Sequence, residues 1–354
     1  MQFTVSTAFL GPGAGTMVTL KEIAQAVGVS SATVSRVLNF DSTLSVAAQT
    51  RAAIIETAEA LNYATPRNRN RALVQGMSKI ALVHFLRPEQ ELVDPYYVAL
   101  RLGIERRCAE CRLEVVKFYH TDELPDPKAL NAASGVIAIG AHDPTEVAWL
   151  KRHSRFVVFA DFAPPDDSVD SVHSDRTLAM RRLVGALAAA GYARIGFVGW
   201  WDNVHAGSRD AWEERGLAYV NFMREAGSFD PALCAFESNT EASGYKLTKQ
   251  ILGLPRRPDA LIAGNDNMAV GAYRAIHELG LKIPDEIAVA SFNDISVAQF
   301  LNPPLSTVRL PAEEIGETAV DLLVERIAGR DIAKQTILAS RMIWRGSARR
   351  PIDA

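Results

Sequence analysis

The sequence predicts a small all-α head carrying a helix-turn-helix, followed by an α/β body of two Rossmann-like subdomains. Three observations carry this. Residues 19–39, TLKEIAQAVGVSSATVSRVLN, read as two short helices around a tight turn. From Ser78 onward, short apolar runs alternate with amphipathic helical stretches, the pattern of parallel strands covered on both faces. That alternation occurs in two sets, the second starting near Ala193, which calls for two sheets.

In the head, Thr19 is a good N-cap and Glu22 stands three residues on, where it closes a capping box. Ile23, Ala24 and Val27 then form an apolar face at helical spacing. Gly28 marks the turn, because glycine accepts positive φ without a Cβ clash. Ser30 is placed to cap a second helix running to about Leu38, with Val34, Val37 and Leu38 inward. Ser31, Ala32, Thr33, Ser35 and Arg36 are left on or near the outer face. A recognition helix reads base edges with its N-terminal residues, and short side chains let the backbone approach. Arg36 has the reach and fork geometry for a guanine edge or a phosphate. Taken alone, the pattern also fits a helical hairpin buried in a larger core.

A third helical stretch follows at about 47–62, with Ile54, Ala58 and Leu61 on one face. Residues 63–73, YATPRNRNRAL, are too polar for a core and carry Arg67, Arg69 and Arg71. Beside a helix-turn-helix such a segment suits phosphate or minor-groove contact, and it equally suits a solvated linker.

In the body, 80–86, 113–119, 135–140 and 155–161 are strands of a first set, with a helix over 96–112. The helix at about 175–190 leads to a second set. This has strands at 193–199, 259–265 and 287–294 and helices at 211–226, 241–253 and 267–279. Open α/β sheets bind ligands beyond the carboxyl ends of their strands. That rule picks out His84, Asp161, Trp200, Asn265, Asp266, Asn293 and Asp294. Carboxylates and amides there can hydrogen-bond a polar ligand. Of these, Asp266 is expected to cap the following helix.

The bulk numbers set bounds. With 354 residues, some 275 remain after the head, enough for two sizeable cores. A net charge of −3 makes the whole chain a poor generic polyanion binder, so DNA affinity has to be local to the head and hinge. No apolar run reaches membrane-span length. Cys108, Cys111 and Cys234 lack zinc spacing and read as reduced, buried or half-buried thiols. GxSxG, HExxH, Walker and dinucleotide motifs are missing, and no catalytic residue or metal ligand is assigned. Residues 1–16 lack the basic n-region and apolar core of a secretory signal. They are expected to be a disordered extension or a misassigned start ahead of Met17.

The motifs TLKEIA, GVS, ATVSRVLN and LNY together resemble the lactose/galactose repressor family of transcription regulators, and the resemblance covers nearly all of the chain after Met17. DPYY at 94–97, SGY at 243–245, RAIHELGL at 274–281, and FNDI with PPLSTVR at 292–309 look most similar to a repressor of a β-galactosidase. The resemblance implies a periplasmic-binding-protein-like core with a ligand cleft between subdomains. It implies double-stranded, pseudo-palindromic operator DNA as one partner, a sugar inducer as another, and a second copy of the chain as the third. No cofactor beyond the sugar effector is expected. The expected setting is cytoplasmic, on the nucleoid, with no membrane partner. Regulation by another small molecule such as a purine, and a cytoplasmic sugar-binding protein without DNA, are the competing functions.

The expected boundaries are a helix-turn-helix domain over 17–63, a hinge over 64–77 and an effector and dimerisation domain over 78–354. In the last, 78–176 with 309–338 form one subdomain and 177–308 with 339–354 the other. Chain crossings fall near 174–178, 306–310 and 337–341. The DNA-facing set is Thr19, Ser30, Ser31, Ala32, Thr33, Ser35, Arg36, Asn39, Tyr63, Arg67, Arg69, Arg71 and Leu73. Family members insert a hinge leucine into the DNA, and direct alignment puts Ala72 there with Leu73 beside it. The effector set is His84, Tyr97, Asp161, Trp200, Arg215, Asn239, Asn265 and Asn293. Arg215 resembles the family's sugar-clamping arginine. Asn239 stands where the lactose repressor has a tryptophan under the sugar, so the platform falls to Tyr96, Tyr97, Trp200 or Trp201.

Overall fold

A computed structural model describes residues 19–38, 44, 46–61, 79–119, 126–201 and 213–351. The chain divides into two units, residues 1–75 and 76–354.

In the first unit, α1 (Leu20–Val27), α2 (Ser31–Leu38) and α3 (Ala48–Ala60) surround one small core. Ile23, Ala24, Val34, Val37, Ile54 and Ala58 are buried together, flanked by Leu20, Val27, Val29 and Leu38. Leu61, expected on the inner face of α3, is exposed because the helix ends at Ala60. Beyond the last turn the helical period no longer sets a side chain's direction.

The second unit holds two six-stranded sheets. The first contains β1 (Lys79–His84), β2 (Glu114–Tyr119), β3 (Val136–Ile139), β4 (Val157–Ala160), β5 (Asp170–His173) and β11 (Gln335–Ile337). Their order is β11-β5-β4-β3-β1-β2, with every pair parallel. The second contains β6 (Ile195–Trp200), β7 (Cys234–Glu237), β8 (Ala260–Ala263), β9 (Ala288–Asn293), β10 (Ser306–Arg309) and β12 (Arg341–Ile343). Their order is β12-β10-β9-β8-β6-β7, with only β12 antiparallel, to β10. The central strands β3, β4 and β8 are buried along their whole length, which is why they read as unbroken apolar runs.

Helices cover these sheets. In chain order they are α4 (Pro88–Leu92), α5 (Pro95–Glu110), α6 (Pro127–Asn131), α7 (Pro144–His153), α8 (Arg176–Ala189), α9 (Glu214–Glu225), α10 (Glu241–Leu252), α11 (Asp266–Glu278) and α12 (Ala312–Ile327). Close packing of α10 on α11 needs glycine: a Cβ on Gly271 would stand 1.9 Å from the Glu241 carbonyl oxygen. The chain passes from the first sheet to the second after β5, back after β10, and across again after β11. Arg309 pairs with Asn293 inside the second sheet, one residue past the expected boundary.

Strand β5 escaped sequence reading for a physical reason. Its DSVH pattern looks too polar for an interior strand, yet Asp170 is fully buried. Two arginines, one in the last turn of α12 and one just after it, neutralise the carboxylate, Arg326 Nε at 2.8 Å and Arg330 Nη1 at 2.7 Å. No described helix is long and apolar enough to cross a membrane.

Candidate DNA-reading head and effector cleft

The turn of the head is built by local chemistry. Thr19 Oγ1 accepts from the Glu22 amide while Glu22 reaches back to the Thr19 amide at 2.6 Å, closing the expected box. Gly28 ends α1 at φ 74°. Ser30 Oγ caps α2 by accepting from the Thr33 amide at 3.0 Å, and it shares a second bond with the Thr33 hydroxyl at 2.8 Å. Both of these hydroxyls, expected as DNA contacts, are thus engaged in shaping the helix start. Ser31, Ala32 and Arg36 are exposed, while Thr33 and Ser35 are half-buried. Asn39, Tyr63, Arg67, Arg69, Arg71 and Leu73, with the hinge and the 1–16 extension, lie outside the described residues.

In the body, strand order reverses beside β1 in the first sheet and beside β6 in the second. Ligands bind at such switch points. The carboxyl ends of the two sheets face each other: Asn267 on α11 donates to the Val93 carbonyl, in the turn before α5, at 3.1 Å. Three non-glycine residues at these strand ends have positive φ, namely Asp161 (62°), Asn293 (106°) and Asp294 (57°). Backbone strain of this kind clusters where ligands are held.

On the first-sheet side, Asp161 follows β4 and is 3% exposed. Its carboxylate accepts Tyr96 Oη at 2.9 Å, Tyr97 Oη at 3.1 Å and Arg176 Nη1 at 2.8 Å. Burial, and then the Asp161 charge, push both phenols far up, so both stay neutral donors. Burial works against the Arg176 charge, but Asp161, Glu214 and Glu213 more than offset it and raise its pKa. Asp94, the N-cap of α5, is raised by burial to about 6. His84 ends β1, 2% exposed, with Nδ1 accepting the Leu86 amide at 3.0 Å. That bond places the proton on Nε2, which has no hydrogen-bond partner. Burial lowers the His84 pKa to about 4, keeping the ring neutral although Glu91 Oε1 stands 3.7 Å from Nε2.

On the second-sheet side, Trp200 ends β6 and is half-buried against the core. The Arg215 guanidinium lies 4.5 Å over its ring and 5.7 Å from the Phe292 ring. Arg215 is 8% exposed, and its Nε donates to both Glu213 carboxylate oxygens at 3.0 Å. Asn293 Oδ1 is buried without a partner. Asp294 pairs with Arg309 and Arg345 at 2.6 and 2.7 Å.

Two expectations need correction. The cap of α11 is Asn265, whose Oδ1 accepts the Met268 amide at 2.8 Å. Its amide nitrogen donates to the Asn239 carbonyl at 3.2 Å, so this side chain is largely spent internally, and Asn239 itself is exposed. Asp266 is no cap. It is fully buried and accepts the Ser291 hydroxyl, the Thr307 hydroxyl at 2.8 Å and the Ile295 amide at 2.8 Å, tying the end of β8 to β9 and β10. Isolated from water, it is raised to about 6.

Sequence reasoning missed Arg176, Glu213 and Glu214. A signal existed: Arg176 opens a helix, where the macrodipole disfavours a cation, and so needs a carboxylate partner. Among the described residues no cluster of three or more His, Cys, Asp or Glu could hold a metal ion. The three cysteines are free, and burial pushes the Cys108 and Cys234 thiols up to about 12.

A helix-turn-helix head and a two-sheet body with opposed strand ends define a DNA-binding transcription regulator carrying its own sensor domain. Residues 19–66 match the profile of bacterial regulatory proteins, lacI family, and residues 184–348 match the periplasmic binding protein-like domain. The chain is 37% identical over 335 residues to the HTH-type transcriptional regulator GalR of Lacticaseibacillus casei, covering 94% of this chain and 100% of that one. It is 62% identical over 109 residues to the lactose operon repressor of Rhizobium radiobacter, covering 31% of this chain and 96% of that sequence. The lac repressor dimer bound to operator and the anti-inducer ONPF superposes with a TM-score of 0.65 at 23% identity, over 94% of this chain and 99% of that one. The chain belongs to the LacI family of bacterial regulatory proteins.

Proposed function

We propose that the protein is a homodimeric, sequence-specific repressor of genes for β-galactoside use, acting in the cytoplasm and released from its operator by a sugar. The inducer sits between the two subdomains of the body. The observation that carries this reading is the placement of Asp161 and Asn293 at opposed strand ends, with Arg215, in the first turn of α9, laid over Trp200 at the end of β6. Each is buried or half-buried, and each is polar where a fold of this kind takes ligand. Carboxylate, guanidinium and amide together suit a polyhydroxylated, uncharged molecule, and Trp200 offers an apolar wall. The 62% identity to a lactose operon repressor favours a galactoside. Two heads on a two-fold axis match two half-sites of a pseudo-palindrome, and Ser31, Ala32 and Arg36 are the residues placed to read them. The sugar acts by favouring a DNA-incompetent arrangement, and a coupling of about 1–3 kcal/mol corresponds to a 5–150-fold change in operator affinity.

Arg215→Ala tests the site. Charge-assisted hydrogen bonds contribute about 1.5–3 kcal/mol, so calorimetry should show galactoside affinity reduced about 10–100-fold while operator binding in a gel shift is kept. A normal inducer response would remove Arg215 from the site.

A further inference from the structure

Asp161 and Arg215 stand on different subdomains, and one guanidinium links them. Arg176 is the first residue of α8, the helix the chain enters on leaving the first sheet. Its Nη1 donates to Asp161 at 2.8 Å and its Nε to Glu214 Oε2 at 3.0 Å, with Glu213 Oε1 3.9 Å away. Glu213 in turn holds Arg215. The result is a chain of charges, Asp161–Arg176–Glu213/Glu214–Arg215, running from one subdomain to the other, largely buried except at Glu214, whose side chain is 39% exposed.

A carboxylate offers about four acceptor positions, and Tyr96, Tyr97 and Arg176 already occupy three on Asp161. A saccharide that sets two hydroxyls on Asp161 therefore has to move a donor. Tyr96, packed into the core at 5% exposure, and the half-buried Tyr97 have no alternative acceptor among their hydrogen bonds. Arg176 has one, because Glu213 and Glu214 remain beside its Nε.

We propose that Arg176 is a positioning residue that competes with the effector for Asp161, and that its displacement toward Glu213 and Glu214 changes the relation of the two subdomains. This rests on the saccharide reading above. It predicts a split between binding and response that a merely structural arginine would not give.

The test compares full-length wild type, Arg176→Met and Arg176→Lys. Calorimetry with methyl β-galactoside measures binding. Gel shifts with and without it, on the duplex the wild type selects from a random pool, measure response. Arg176→Met should bind the sugar about 5-fold more tightly, the scale of a 1 kcal/mol coupling, while the ratio of operator affinities with and without sugar falls toward 1. Lysine keeps the charge as a single-point donor and should be intermediate in both; it carries the test if Arg176→Met does not fold. An unchanged ratio, or parallel loss of sugar binding and response, overturns the proposal. If the wild type binds no saccharide, the reading under Proposed function fails instead. Arg176 is then judged by operator affinity without ligand, where equality between wild type and variant overturns its role.

Discussion

At the residue scale, the site is governed by which charges survive burial. His84 shows this best. Its ring is neutral because burial penalises the imidazolium, and its folded pKa of about 4 lies below the ordinary 6.5. Between those values the unfolded chain binds a proton that the folded one refuses. Stability from this residue is therefore fully present above pH 6.5 and is lost as pH falls toward 4, on the order of 3 kcal/mol at most. Asp94 and Asp266, both raised to about 6, act in the opposite sense over roughly pH 6 to 4, since their folded forms take up protons first. A histidine-resolved NMR titration should place the His84 midpoint near 4, and a midpoint near 6.5 would contradict its burial as the ruling effect. In the head, Arg36→Ala should weaken specific DNA binding well beyond nonspecific binding. A lost base contact is worth about 1–3 kcal/mol, whereas a lost phosphate contact weakens all sequences alike and lowers the salt slope. Equal losses in titrations on both kinds of DNA would make Arg36 a phosphate contact.

At the element scale, the helices and strands that obey a local rule were readable. The Thr19–Glu22 box, Gly28 and the Ser30 cap define α1 and α2 from their own residues. The buried strands β3, β4 and β8 announce themselves as apolar runs. Elements defined by distant partners were not readable. Strand β5 depends on Asp170 being matched by Arg326 and Arg330, far along the chain. Likewise the role of Asp266 depends on Ser291 and Thr307, which local capping rules cannot see. The cleft followed the same division. Asp161, Arg215 and Asn293 were visible as strand-end or motif residues, while Arg176 became visible only through its contacts. Removing one partner of a buried ion pair leaves an unpaired buried charge. Asp170→Ala, which leaves Arg326 without a carboxylate and Arg330 with Glu325 alone, should therefore lower unfolding stability by about 3–5 kcal/mol in urea melts. A loss under about 1 kcal/mol, the scale of an exposed pair, would show that β5 is held without the buried one.

At the scale of the whole molecule, two units divide the labour. The head has a small core of its own, built from Ile23, Val34, Val37 and Ile54, and supplies exposed residues suited to DNA. The body's two sheets present polar, strained strand ends to each other and suit a small polyhydroxylated ligand. A chain lacking residues 1–76 should keep galactoside-dependent thermal stabilisation, since a ligand that binds only the folded state raises its apparent stability, while losing specific DNA binding. The central claim, control of a DNA-reading head by a saccharide in the body, is tested most directly by one titration. The full-length chain is bound to the duplex it selects from a random-sequence pool, and methyl β-galactoside is added while bound DNA is followed by gel shift. The account predicts a pseudo-palindromic selected site and saturable release of the protein from it. Failure to select any sequence, or complexes that persist at saturating sugar, would contradict it.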